Sequence, residues 1–141
     1  MKIAIASDHA GFKTKETIAA FLKSENLQFT DFGTSSEDSV DYPDFAKKVA
    51  KAVSGKGADM GILVCGSGIG MAMAANRFKG VRAVVINDEF DAQMSRKHND
   101  ANIACFGARK ISAETAVSLL KVWLKTSFEG SRHEGRVKKI D

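Results

Sequence analysis

Cys65 ends an apolar run, Gly61-Ile62-Leu63-Val64, and is followed by Gly66-Ser67-Gly68-Ile69-Gly70-Met71. A helix that begins beside a thiol lowers its pKa from about 8.5 toward neutrality, which makes it a usable base or nucleophile. Glycines at alternate positions clear side chains from the turn, so successive backbone N–H groups can face an anion. The natural occupant is a bound oxyanion. Nucleotide chemistry fits less well: Met71 stands where the dinucleotide pattern needs its third glycine, and no Gly-Lys-Ser/Thr follows to form a P-loop. The competing reading of Cys65 is a small, inert strand residue. Cys105 has no glycine turn and reads as inert.

Other polar groups qualify by type. Asp8-His9-Ala10-Gly11 can supply an acid/base pair or a cation for phosphate, or Asp8 can simply cap a helix. His98-Asn99-Asp100 is polar, and equally reads as a helix that ends on asparagine. Arg132 and Arg136 are four apart, so a helical tail presents two guanidinium groups on one side, suited to bidentate phosphate binding. A solvated tail is the alternative.

These residues need elements to hold them. Short apolar runs near 2–7, 27–32, 60–65, 82–87 and 102–106 alternate with helical patterns at about 12–25, 43–54, 69–78, 89–98 and 112–126. That alternation predicts a single doubly wound α/β domain, Rossmann-like, with a five-stranded parallel sheet. Phe45, Val49, Ala52 and Val53 repeat at helical spacing, as do Leu120, Trp123 and Leu124. Segment 33–42 is a polar loop of functional length, and Pro43 suits the first turn after it. Ligands of such sheets bind at the carboxyl edge. Asp8-His9, Gly33-Thr34, Cys65 to Gly70, Asn87-Asp88 and Gly107 to Arg109 follow strands and belong there; His98 and Asn99 precede a strand and belong at the opposite edge or along the side.

The 141 residues suit one domain, spanning 1–141 with a basic C-terminal tail about 127–141. The composition, 44% hydrophobic and 27% charged, is that of a soluble globular protein. A net charge of +4 suggests an anionic partner, but the basic residues are dispersed, which argues against nucleic acid and for a small phosphorylated ligand. Two cysteines without CxxC spacing indicate neither a zinc site nor a disulfide and fit a reducing cytoplasm. Asp8 comes too soon for a signal-peptide apolar core, and no run is long enough for a membrane span.

Taken together, Ser7-Asp8-His9-Ala10-Gly11, Asp41-Tyr42-Pro43, Cys65-Gly66-Ser67-Gly68-Ile69-Gly70, Arg96-Lys97-His98-Asn99-Asp100-Ala101-Asn102, Phe106-Gly107-Ala108-Arg109 and Glu129-Gly130-Ser131-Arg132-His133 closely resemble the ribose-5-phosphate isomerase B family, which also includes galactose-6-phosphate and allose-6-phosphate isomerases. The resemblance runs the length of the chain, in order. It implies an aldose–ketose isomerase of the pentose phosphate pathway that works without metal or organic cofactor. Cys65 would be the base and His98 would assist ring opening, with Asn99 beside it. Backbone N–H groups of Gly66, Ser67, Gly68, Ile69 and Gly70 would hold the enediolate, and Asp8 would orient hydroxyls. His9, Arg132 and Arg136 would bind phosphate, with Arg109 lining the site. The resemblance further implies a homodimer, or a dimer of dimers, with sites shared between subunits. Hexose 6-phosphates remain alternative substrates, and a non-catalytic sugar-phosphate-binding module is the alternative of a different class.

Overall fold

The computed structural model describes residues 1–140. Five strands, β1 (Lys2–Ser7), β2 (Gln28–Asp31), β3 (Met60–Cys65), β4 (Ala83–Val85) and β5 (Ile103–Gly107), form one parallel sheet in the order β2-β1-β3-β5-β4. Six helices accompany them: α1 (Phe12–Ser24), α2 (Tyr42–Ser54), α3 (Ile69–Ala75), α4 (Glu89–Lys97), α5 (Ala113–Lys125) and α6 (Arg132–Val137). The expected fold class is the one observed.

Right-handed crossovers tie the direction of each step across the sheet to the face its helix covers. The steps β1 to β2 and β4 to β5 run one way, and their helices α1 and α4 lie with α5 on one face; β2 to β3 and β3 to β4 run the other way and put α2 and α3 on the opposite face. Strand alternation then sorts the core. Ile62 and Val64 face Ile18, Leu22, Leu120 and Trp123, whereas Leu63 and Cys65 face Val49, Val53, Met71 and Ala75. Each fully buried Leu, Ile or Val of these layers contributes about 1.5–3 kcal/mol of transfer free energy. The connections from β1 and from β3 step to opposite sides of the sheet, and Cys65 ends β3 at that switch point, on the face that α3 covers.

Some boundaries differ from the expected ones. The strand expected over 82–87 is Ala83–Val85, with Ile86 still donating its N–H to the Cys105 carbonyl. Helix α3 ends at Ala75 because Asn76 turns back: its side-chain amide donates to the Ala83 carbonyl at 2.8 Å and its Oδ1 accepts the Ala83 N–H at 2.7 Å. Pro43 sits in the first turn of α2, as expected. The helix before β5 does not end on asparagine. Its last turn closes at His98, and the left-handed residue is Asp100, with φ +46°. No helix is long and apolar enough to cross a membrane among the described residues.

Candidate active site

The β3–α3 turn opens on a cleft of about 600 Å³ lined by Asp8, Tyr42, Cys65, Ser67, Ile69 and Arg109, among others. Cys65 is nearly buried, and its Sγ accepts the backbone N–H of Gly68 at 3.1 Å. That contact needs Gly68 in a left-handed conformation, φ +79°, with the Phe106 carbonyl carbon only 3.1 Å from where a Cβ would stand. Ser67 Oγ accepts the Ile69 N–H at 3.2 Å. The N–H groups of Gly66 and Ser67 have no acceptor among the described residues, and that of Gly70 belongs to the unpaired first turn of α3. Three backbone donors beside a thiol are therefore available to an oxyanion.

The walls are cationic and apolar. The Arg109 guanidinium lies over Gly66, Nη1 being 3.1 Å from the position a Cβ would take, and the Arg109 N–H donates to the Gly66 carbonyl at 3.0 Å. The Tyr42 ring lies on Gly70, where a Cβ would come within 2.6 Å of the ring. Asp8 is buried; its Oδ1 accepts the Gly11 N–H at 3.0 Å. Asp8 thus ties down the turn that leads into α1, whose N-cap is Gly11, rather than capping the helix itself, and Oδ2 is left for another partner. His9 pairs through Nδ1 with the backbone of Val40, 3.1 Å from its N and 3.2 Å from its O, which ties loop 33–42 to the entry of α1 and leaves Nε2 unengaged by that contact.

The remaining candidates form a second group. α4 runs back from the carboxyl edge, so His98 and Asn99 reach the amino edge; Asn99 lines a different cavity, of about 660 Å³, with Arg82, Ser95 and Ala101. The His98 ring stacks on His133 of α6, centroids 4.3 Å apart. Arg132 and Arg136 flank His133, and both guanidinium groups are exposed. Asp100 holds this corner: Oδ1 accepts Arg96 Nη1 at 2.8 Å and Oδ2 accepts Arg82 Nη2 at 3.2 Å, while Arg96 Nη1 also reaches the Ala101 carbonyl at 2.6 Å. One chain thus brings Asp8, the turn from Cys65 to Gly70 and Arg109 together in one cleft and leaves His98, Asn99, Arg132 and Arg136 outside it.

Sequence reasoning had not selected Tyr42, Lys110, Glu129 or His133. The first, third and fourth lay within recognisable motifs. Glu129 and His133 are four apart, but Glu129 precedes α6, so helical spacing does not account for their contact.

A doubly wound parallel sheet with a thiol, a glycine turn and an arginine at its switch point defines an α/β protein that binds an anionic ligand at the carboxyl edge. Residues 3–140 match the model of the Ribose/Galactose Isomerase family, and the chain belongs to that family. It is 45% identical to ribose-5-phosphate isomerase B of Escherichia coli over 139 residues, covering 99% of this chain and 93% of that one. Among solved structures it is similar to ribose-5-phosphate isomerase B of Clostridium thermocellum, with a TM-score of 0.98, 48% identity and coverage of 99% and 95% of the two chains. It is also similar to the Mycoplasma genitalium ribose-5-phosphate isomerase B with bound ribulose-5-phosphate, with a TM-score of 0.95, 40% identity and coverage of 99% and 93%.

Proposed function

We propose that this chain interconverts ribose 5-phosphate and ribulose 5-phosphate as a homodimer or a dimer of dimers in a reducing cytoplasm, residues 1–141 acting as one domain. The observation that carries this reading is the Cys65 thiol held 3.1 Å from the Gly68 N–H at the wall of a cleft whose turn offers further backbone donors. The comparisons support the substrate, since relatives alike over nearly their whole length carry that activity in their names.

In the mechanism, the Cys65 thiolate takes the proton from C2 of the open-chain aldose. The C2 electron pair forms the C1–C2 double bond of the enediolate, and the negative charge settles on oxygen facing Gly66, Ser67 and Gly70. Transfer of the O2 proton to O1 and return of the abstracted proton from the Cys65 thiol to C1 give the ketose and restore the thiolate. Asp8 orients hydroxyls through its free oxygen, and Arg109 over Gly66 adds positive charge to the wall. His98 opens the sugar ring, with Asn99 beside it; His9, Arg132 and Arg136 take the phosphate. Because His98 and the two arginines lie outside the Cys65 cleft, a second copy of the chain supplies them.

In deuterium oxide, wild-type protein incorporates deuterium at C2 of ribose 5-phosphate and Cys65→Ala does not. Retention of the C2 proton by active wild-type preparations would overturn the reading. Side-by-side kcat/KM values for ribose, allose and galactose phosphates rank the substrates.

A further inference from the structure

His133 is 5% exposed, and its Nε2 has no hydrogen-bond partner among the described residues; Glu129 Oε2 is 3.6 Å away. Its ring lies flat against that of His98, with the planes 14° from parallel. The Glu129 N–H donates to the Lys97 carbonyl at 3.1 Å, which joins the approach to α6 to the end of α4. The charged groups facing His133 are His98, Arg132, Arg136 and Glu129. Burial first, then His98 and the two arginines, hold its pKa below the ordinary histidine value, and Glu129 opposes them. At neutral pH the ring is therefore an uncharged aromatic surface. Glu129, His98 and His133 each bring one ligand atom within 4.8 Å of the others, which raises the question of a metal. Nearly parallel stacked rings direct their in-plane lone pairs side by side rather than to one point, so the arrangement favours a stack over a chelate.

A half-buried histidine at a helix end has several rotamers open to it, and a proton donor is effective only in a narrow range of orientations. A neutral ring also tolerates, and attracts, a protonated imidazole lying on its face, where a second imidazolium would repel it. We infer that His133 is a positioning residue for His98: its ring, backed by Glu129, fixes the plane in which the His98 imidazole meets the sugar. This rests on the reading of His98 as the ring-opening group.

The test compares His133→Phe, which keeps a flat ring, with His133→Leu, which keeps bulk and loses the ring. In substrate-free protein, the His98 ring-proton resonance keeps an upfield ring-current shift in the phenylalanine variant and loses it in the leucine variant. With ribose 5-phosphate, His133→Leu lowers kcat about tenfold with KM within twofold of wild type, and His133→Phe recovers most of that loss. An unchanged His98 resonance in His133→Leu overturns the inference. So does a rise in KM at constant kcat, which would mean that His133 serves Arg132 and Arg136 instead. The resonance comparison needs no turnover, so it judges the stack even if the isomerase reading fails.

Discussion

The backbone N–H of Gly68 points at the Sγ of Cys65, 3.1 Å away, from a residue with φ +79° and no room for a Cβ. Turn geometry and thiol chemistry thus depend on one glycine. Gly68→Ala imposes left-handed strain of about 1–2 kcal/mol and presses a methyl against the Phe106 backbone. The expected outcome is a lower melting temperature together with a kcat at least about tenfold below wild type, because the N–H is re-aimed. Normal activity at a lowered melting temperature would show that the contact is structural only.

The two cysteines separate into roles. Cys105 is fully buried, and its burial, with Cys65 nearby, pushes its thiol far above the usual range. Iodoacetamide should label Cys65 and not Cys105 in native protein, and both after denaturation. Cys65→Ala should fold and lose about 10²–10⁴ in kcat, the usual worth of a positioned base. Cys105→Ala should keep its kcat and lose about 1 kcal/mol of stability in urea unfolding.

Strand and helix order was legible because hydrophobic period and glycine punctuation are local signals, and Cys65 was legible because its turn is contiguous. The ending of α3 was not, since it depends on Asn76 bonding back to Ala83 across a loop. Nor was the residue that turns the His98 corner. Asparagine is the usual occupant of left-handed φ, but here two arginines from separate elements, Arg82 and Arg96, hold Asp100 there. His133 escaped notice because its meaning lies in its stacking on the His98 ring, which is distant in sequence.

Asp100 supplies a further prediction. Asp100→Asn keeps a residue type that tolerates positive φ while removing the charge from two arginines, one of them, Arg96, buried. Loss of the anion beside a buried guanidinium costs about 1–3 kcal/mol, moderated by the Ala101 and Thr126 carbonyls that Arg96 retains. Chemical denaturation measures it. A stability equal to wild type would show that the carbonyls alone satisfy Arg96.

The buried imidazole predicts an acid sensitivity. Unfolded, His133 takes its proton near pH 6.5; folded, it does so at lower pH. As pH falls through 6.5 the unfolded chain binds the proton first, so acid shifts the equilibrium toward unfolding, whereas above that range both states are neutral and the contribution is constant. Between pH 7.5 and pH 5, wild-type protein should lose more unfolding free energy than His133→Phe. Equal losses, or a greater loss in the variant, would contradict the origin assigned to the shift.

Division of the candidate residues between two groups gives a prediction about assembly. If Cys65 of one chain works with His98 of another, a heterodimer of Cys65→Ala and His98→Ala chains contains one site with both residues intact and one with neither. Random reassortment of equal amounts makes half of the dimers mixed, each with half its sites competent, so the mixture should recover about a quarter of wild-type activity. Neither parent alone should approach that level. The rate of recovery should follow subunit exchange, which labelled chains report independently. A fully exchanged mixture no more active than its parents would place His98 in its own chain's site, and the cleft would then have to close by a movement of α4 and α6 toward Cys65.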